Sequence, residues 1–286
     1  MVALLSWYGG KTYLSRWILG FVPEHREYLE LFGGGAALLF AKWPSPLETY
    51  NDIDSGLCNL FRVLRDERKW REFRRLCEWT LYSREEYEHQ KRHWQEAETD
   101  VERAYGFFVV ARSCFSGDMS GGWRYERRGN SSQAHAWASV VEEMEWFHRR
   151  LRFVQVENLD WRDALARYDV GPSALIYADP PYVQELRGKN RYRYEIGDEG
   201  HGELVERLLS CRSMVILSGY HHPVYEPLLA AGWKRYDRRV TCFSKKVEAG
   251  EERSEEGGYK RVESLYLNPL AQRARRGYPL LSEEGG

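Results

Sequence analysis

The tetrapeptide Asp179-Pro180-Pro181-Tyr182 has the clearest chemical potential in the chain, and it directly follows the apolar run 174–178. Proline holds the backbone extended and has no N–H, so the carbonyls around these prolines lack an internal partner. A carboxylate beside such a carbonyl presents two acceptors to one NH₂ group, and the tyrosine ring offers a face to a flat ring. The pattern predicts a pocket for a planar amino group; the alternative is a strand-ending turn with a core tyrosine.

A glycine triplet at residues 33–35 lies between the apolar segment 28–32 and the helical pattern 36–42. Glycine permits positive φ and close approach of the backbone to a ligand, and the free N–H groups that begin a helix can face a polar group. The lysine of a Walker phosphate loop and the spacing Gly-x-Gly-x-x-Gly are both missing. Asp52 ends the next predicted strand, where an acidic residue can accept the ribose hydroxyls of a nucleoside cofactor; a helix N-cap is the alternative.

Segments typical of strands alternate with helical segments in both terminal parts of the chain. The predicted strands are residues 28–32, 47–53, 153–156, 174–178 and 213–217, with a closing hairpin of 240–244 and 261–268. This alternation predicts an α/β fold, a mostly parallel sheet with helices on both faces. Ligands of such sheets bind outside the carboxyl ends of the strands, which is where both motifs fall.

The stretch 65–150 interrupts this alternation with a helical, charged and tryptophan-rich pattern. Helices are predicted at residues 70–79, 84–96, 101–112 and 136–150, with a loop at 113–132 that is rich in Gly, Ser and Arg. We therefore expect one domain made of residues 1–64 and 151–286, with 65–150 inserted as a helical domain.

Composition excludes several classes of protein. A net charge of −1 excludes a protein that coats nucleic acid by bulk charge, but not one with a local basic cleft. The five cysteines are scattered without a Cys-x-x-Cys pair, which argues against a disulfide framework and a zinc site, so no metal is expected. No run of 18 apolar residues exists and the N-terminus does not resemble a signal peptide, so we expect a cytoplasmic protein without a membrane segment.

Taken together, the motifs resemble the Dam-type (alpha-group) DNA adenine-N6 methyltransferase family over about residues 6 to 268. The segments that carry the resemblance are residues 7–11 (Trp-Tyr-Gly-Gly-Lys), 31–36 (Leu-Phe-Gly-Gly-Gly-Ala), 51–54 (Asn-Asp-Ile-Asp), 179–182 (Asp-Pro-Pro-Tyr) and 261–268. Their order, with a helical insert before the catalytic tetrapeptide, is that of the alpha arrangement. Leu31 replaces the family's usual proline, and Ala36 replaces a glycine.

The resemblance implies a Rossmann-like fold with an inserted target-recognition domain, and methyl transfer from S-adenosylmethionine to the exocyclic amine of adenine in duplex DNA. Since that amine is unreachable inside a duplex, the base must be flipped out. Asp179 and the carbonyl of Pro180 would accept hydrogen bonds from the amine, Pro181 would complete the turn, and Tyr182 would stack on the adenine ring. The cofactor supplies an activated methyl group, so neither a metal nor a covalent nucleophile is implied.

The resemblance also implies the contacts to the cofactor. Trp7 and Lys11 would cover the methionine part, Asp52 would bind the ribose, and Ile53 would lie against the adenine face. Asp160, at the end of the third strand, would accept from the cofactor's amino group, with a helix N-cap as the alternative. The loop around the cofactor would be formed by Phe32, Gly33, Gly34 and Gly35, and Asp179 would border it.

Contacts to DNA are expected from two basic regions. The segment 187–194 follows the catalytic turn and interleaves Arg187, Lys189 and Arg191 with aromatic residues, which suits phosphate binding and base stacking; a solvated loop is the alternative. In the insert, the candidates for guanine or phosphate contacts are Arg112, Arg124, Arg127 and Arg128. The insert departs from the family's recognition loop, so the target sequence stays open.

Three alternatives to this interpretation keep part of the pattern. The same fold methylates RNA adenine or a protein glutamine amide in related enzymes, and a third possibility is a DNA-binding protein that has lost catalysis. The aspartate that begins the tetrapeptide, and its position after a large insert, favour double-stranded DNA as the partner. A restriction endonuclease of the same host is a candidate partner in a restriction-modification system.

Overall fold

Seven strands in the described part of the chain form one twisted sheet. The computed structural model describes residues 3–127, 132–183, 185, 193–242 and 259–275. The strand order is β3-β2-β1-β4-β5-β7-β6, and the strands are β1 (Glu27–Glu30), β2 (Leu47–Asn51), β3 (Val154–Glu157), β4 (Ala174–Ala178), β5 (Met214–Tyr220), β6 (Lys234–Cys242) and β7 (Tyr259–Leu267). The first five are parallel, and β7 is antiparallel to both of its neighbours.

The central strand β4 is apolar throughout and buried at every position, as expected where helices cover both faces of a parallel sheet. Glu30 at the end of β1 pairs in register with Tyr50 of β2 and with Tyr177 of β4. The residues that follow these three strands therefore emerge side by side at one edge of the sheet. The predicted α/β fold is confirmed.

Helices cover the sheet and form the insert. Within the described ranges they are α1 (Ser15–Leu19), α2 (Ala37–Ala41), α3 (Ser55–Arg65), α4 (Glu67–Trp79), α5 (Arg84–His93), α6 (Asp100–Ser113), α7 (Gln133–Glu142), α8 (Met144–Leu151), α9 (Trp161–Tyr168), α10 (Gly197–Leu209), α11 (Glu226–Ala230) and α12 (Pro269–Arg275). Inside those same ranges, no helix combines the length and apolar character that crossing a membrane requires.

The insert lies between α3 and β3 and consists of α4 to α8. Its central helix, α6, packs on α3, so that Phe107 and Phe108 belong to the same buried cluster as Tyr50 and Phe61. The insert and one face of the sheet thus share a continuous core. The division into a catalytic domain and a recognition domain stays a prediction about function.

Three segments differ from the sequence-based expectation. The helix predicted at 136–150 is two helices, α7 and α8, that meet at Glu143. Strand β6 begins at Lys234, well before the predicted 240, and pairs with β7 over nine residues. Its first residues are charged and read as a loop, but charged side chains are typical of edge strands. The polar stretch 248–258, which the sequence indicates is a loop, lies outside the described residues. The tail after Pro269, which the sequence indicates is disordered, begins instead with the helix α12.

Candidate active site

A cavity of about 340 Å³ opens at the carboxyl ends of β1, β2 and β4. This volume lies in the range of roughly 300–1,000 Å³ that is usual for small-molecule and cofactor sites. The sequence motifs converge on it: the lining includes residues 7–11, 30–35, 51–54, 159–162 and 179–181, together with 193–196. All ten predicted cofactor residues are among them: Trp7, Lys11, Phe32, Gly33, Gly34, Gly35, Asp52, Ile53, Asp160 and Asp179.

The glycine loop is shaped by its contacts to the protein. A Cβ on Gly33 would lie 2.5 Å from Cζ of Tyr50, a fully buried ring. Gly34 has φ of +49°, and its carbonyl accepts a hydrogen bond of 2.8 Å from the Tyr50 hydroxyl. A Cβ on Gly34 would also lie 2.9 Å from Nε1 of Trp7. The loop is therefore pressed between two aromatic rings, which leaves no room for side chains at these positions.

The carboxylate of Asp52 anchors the glycine loop through backbone hydrogen bonds. One carboxylate oxygen accepts from the N–H of Gly34 and the other from the N–H of Asp54, each at 2.8 Å. Burial raises the pKa of the Asp52 carboxyl to about 6, although both N–H groups oppose the shift. Because a carboxylate can accept about four hydrogen bonds, Asp52 retains capacity for two hydroxyl donors.

The Asp-Pro-Pro-Tyr tetrapeptide begins with an ion pair between the buried Lys11 and the partly buried Asp179. Lys11 Nζ lies 2.8 Å from Asp179 Oδ1 and 2.7 Å from the hydroxyl of Tyr182. Burial raises the pKa of Asp179 to about 6, while the Lys11 ammonium opposes the shift. The Lys11 ammonium thus lies against the candidate catalytic carboxylate.

Tyr182 departs from the expectation that its ring is ready to stack on a base. The ring is 9% exposed and is stacked on Tyr220, with centroids 4.1 Å apart and planes 12° apart. Its hydroxyl donates to Glu263 Oε1 at 2.7 Å. It is not part of the cavity lining. Asp179 and Pro180 therefore line the cavity, whereas Tyr182 packs behind them, against Tyr220.

The remaining cofactor candidates occupy the rim of the cavity. Asp160 is the N-cap of α9, accepting from the N–H of Arg162 at 2.9 Å, so the N-cap alternative is correct and coexists with a cavity position. Ile53 is 45% exposed and presents an apolar surface to the cavity. Phe32 packs near Trp161, with ring centroids 6.1 Å apart.

The cavity is also lined by charged residues that were not singled out from the sequence, among them Glu30 and Arg193. Glu30 ends β1 and is 2% exposed; burial raises the pKa of its carboxyl to about 8, although hydrogen bonds from the Tyr28 hydroxyl and the Leu39 N–H oppose the shift. Arg193 donates to both carboxylate oxygens of Asp54, at 3.1 and 3.0 Å, across the cavity. Arg193 and Tyr194, at the end of the basic segment 187–194, therefore line the cavity.

The structure separates the predicted DNA-binding residues. Arg112 is largely buried and donates to the carbonyls of Ala3 and Ala136, at 2.9 and 3.0 Å, and burial lowers the pKa of its guanidinium to about 10. These bonds link the insert to the N-terminal segment, and a DNA contact at Arg112 stays a prediction. Arg124 and Arg127 are on the surface. Arg128, Arg187, Lys189 and Arg191 lie outside the described residues.

No three His, Cys, Asp or Glu side chains of the described ranges come together in a way that could hold a metal ion. A search among curated proteins found no match. The family model of D12 class N6 adenine-specific DNA methyltransferases matches residues 7–224. That match covers more than half of the chain and runs from the N-terminal aromatic-glycine motif through the Asp-Pro-Pro-Tyr turn, so the chain belongs to the D12 class N6 adenine-specific DNA methyltransferase family.

Proposed function

We propose that this protein transfers the methyl group of S-adenosylmethionine to N6 of adenine in duplex DNA, after the base has left the helix. The observation that supports this most is the convergence of two acceptors, the Asp179 carboxylate and the Pro180 main chain, with the glycine loop and Asp52 in a single cavity. One part of the cavity suits a nucleoside, and another suits an amino group.

The cavity fits the cofactor by its shape and its acceptors. Asp52 has spare acceptor capacity for ribose hydroxyls, Ile53 offers an apolar face for a purine, and the glycine loop lets a ligand approach the backbone. When bound, S-adenosylmethionine supplies an activated sulfonium methyl group.

The protein's own part in the reaction is positioning. In this proposal Asp179 and the Pro180 carbonyl accept hydrogen bonds from the adenine amine, which fixes the nitrogen lone pair toward the methyl group. The carboxylate also stabilises the positive charge that develops on the nitrogen. Lys11 fixes the orientation of Asp179 through their 2.8 Å ion pair.

The pH dependence follows from the shifted carboxyl. Because the pKa of Asp179 is raised to about 6 in the free protein, acidification through that value protonates the acceptor. We expect kcat/KM for DNA to fall below this pH, approaching about tenfold per pH unit. The kcat profile, measured with saturating cofactor, should lie at lower pH because the sulfonium favours the ionised carboxylate. Constant kcat/KM down to about pH 5 would contradict the proposed role.

Arg127 provides a test of the insert as a DNA-binding region. Its guanidinium lies 5.5 Å from the Tyr125 ring centroid on the exposed surface. If it contacts a phosphate, Arg127→Ala weakens DNA binding and reduces the slope of log affinity against log salt by about 1. Arg212→Ala, a change at an exposed arginine bound to Asp169, is the control. Equal slopes for wild type and Arg127→Ala would remove this residue from the phosphate contacts.

Transfer of radiolabel from S-adenosylmethionine to nucleic acid or protein tests the proposal directly. The protein is incubated with labelled cofactor and, separately, duplex DNA, RNA and a glutamine-containing protein substrate. The proposal expects label in duplex DNA, recovered as N6-methyladenine after hydrolysis. Label only in RNA or protein would support one of the related activities, and binding of DNA without any label would indicate loss of catalysis.

A further inference from the structure

A continuous series of polar side chains leads from the cavity to the surface. It begins at Asp179, 2.8 Å from Lys11 Nζ, which in turn lies 2.7 Å from the Tyr182 hydroxyl. The Tyr182 hydroxyl donates to Glu263 Oε1 at 2.7 Å, and the Tyr13 hydroxyl donates to the same oxygen at 3.4 Å. We call these five side chains the exit series.

Burial changes sharply along the exit series. Lys11 is 3% exposed, Tyr182 is 9% exposed and Glu263 is 1% exposed, whereas Tyr13 is 59% exposed. The series therefore starts at the cavity lining, crosses the protein interior beneath the catalytic turn and ends in solvent. Oε2 of Glu263 is buried and has no hydrogen-bond partner among the described residues, so few donors stabilise the charged form of this carboxylate. The oxygen that accepts from Tyr182 is Oε1.

The hydrogen bonds in the interior part run in one direction. Lys11 donates to the Tyr182 oxygen, and the Tyr182 hydroxyl donates to the Glu263 carboxylate. A proton that enters at Asp179 can thus be handed on by shifting each hydrogen to its existing acceptor. The pairing of Glu263 with Tyr220 across β7 and β5, and the stacking of Tyr220 on Tyr182, keep the acceptor opposite the donor.

Methylation of an amine creates a proton that must leave. The sulfonium becomes a neutral thioether, the N6–CH₃ bond forms, and the nitrogen must lose one hydrogen to end as a neutral secondary amine. With DNA bound over the mouth of the cavity, the direct route from the amine to solvent is covered.

We propose that the exit series carries this proton from the amine to solvent, an inference that rests on the proposed function. The amine gives its proton to the Asp179 carboxylate. Lys11 then passes one hydrogen to Tyr182 and takes the proton of Asp179, while Tyr182 passes its own hydrogen to Glu263. Asp179 and Lys11 return to their starting charges, Tyr182 stays neutral, and Glu263 is protonated. The Tyr13 hydroxyl, which donates to Glu263 Oε1 in the resting state, then turns to accept this proton and releases its own hydrogen to water.

The test compares proton release with methyl transfer in a single turnover. Excess protein with bound S-adenosylmethionine is mixed with duplex DNA in weakly buffered solution containing a pH indicator, and labelled methyl transfer is followed in quenched samples. The variants are Glu263→Gln, which keeps an acceptor for Tyr182 but is a poor proton acceptor, and the surface change Tyr13→Phe. Tyr168→Phe is the matched control. It also removes a tyrosine hydroxyl that donates to a glutamate, Glu157, at 2.6 Å, but neither residue belongs to the exit series.

In wild type and Tyr168→Phe, proton release should keep pace with methyl transfer. In Glu263→Gln and Tyr13→Phe, release should lag each variant's own methyl transfer by on the order of 100-fold and coincide with dissociation of DNA. If Glu263→Gln does not fold, Tyr13→Phe decides alone. Proton release that keeps pace with transfer in the variants, or lags it in wild type, overturns the exit series. Absence of methyl transfer in wild type is a separate result and counts against the proposed function.

Discussion

Replacement of Asp179 by alanine is expected to reduce methyl transfer by on the order of 10³-fold while leaving cofactor binding largely intact. The change removes the charged acceptor that aligns the amine, but it does not touch the glycine loop or Asp52. Single-turnover transfer of labelled methyl groups to duplex DNA measures the first effect, and calorimetric titration with S-adenosylmethionine measures the second.

Asp179→Asn is the companion variant, since the alanine change also leaves the buried Lys11 ammonium without its carboxylate. Asparagine keeps the volume and one acceptor oxygen, so its transfer rate should lie between those of wild type and Asp179→Ala. A near-native rate in Asp179→Ala would show that the carboxylate does not align the amine. Loss of cofactor binding in both variants would show instead that Asp179 acts by binding the cofactor.

Gly33→Ala should destabilise the fold and abolish cofactor binding. The new Cβ would overlap the Tyr50 ring, which is fully buried and anchored by its hydrogen bond to the Gly34 carbonyl. Neither the glycine loop nor the Tyr50 ring can move freely. The free energy of unfolding should therefore fall by at least about 3 kcal/mol, the upper end of the usual range for an overpacked core. Urea denaturation gives this value, and calorimetry gives the loss of S-adenosylmethionine binding.

Gly202→Ala is the matched control, because a Cβ at Gly202 in α10 would meet no atom within 4 Å. That variant should be as stable as wild type or slightly more so, since alanine favours helices. If Gly33→Ala retained wild-type stability and cofactor affinity, the tight packing between the glycine loop and Tyr50 would not be required for either.

The sequence was sufficient to predict the parallel strands of the sheet, but not the full length of the edge strand β6. Apolar runs such as 174–178 identify the buried parallel strands, because burial on both faces leaves few other compositions. The first part of strand β6, residues 234–239, was not predicted, because every residue there except Tyr236 is charged. Its pairing is decided by the neighbouring strand β7, which single-sequence patterns do not register.

In the candidate site, the positions of the motifs along the chain predicted which residues meet, but the sequence did not show which charged side chains pair with each other. Asp52 and Asp179 could be found because they follow β2 and β4, the two parallel strands that flank β1, and the carboxyl ends of parallel strands lie at one edge of the sheet. Glu263 and Arg193 could not, since their partners Tyr182 and Asp54 are far away in the chain. Tyr182 was identified as a site residue, but its stacking on Tyr220 depends on β5 and was not foreseeable.

The common core of the insert and the sheet limits how this enzyme can be re-targeted by engineering. A chimaera cut at residues 65 and 150 would split the cluster that joins Phe61 to Phe107 and would expose apolar surface on both halves. If the insert recognises the target as proposed, grafting should exchange only the exposed residues 125–127 and keep Met119 and Trp123, which pack against that core. Gly117 should also be kept, because a Cβ there would lie 2.6 Å from the backbone nitrogen of Tyr8. New specificities would then be sought by loop libraries, not by module swapping.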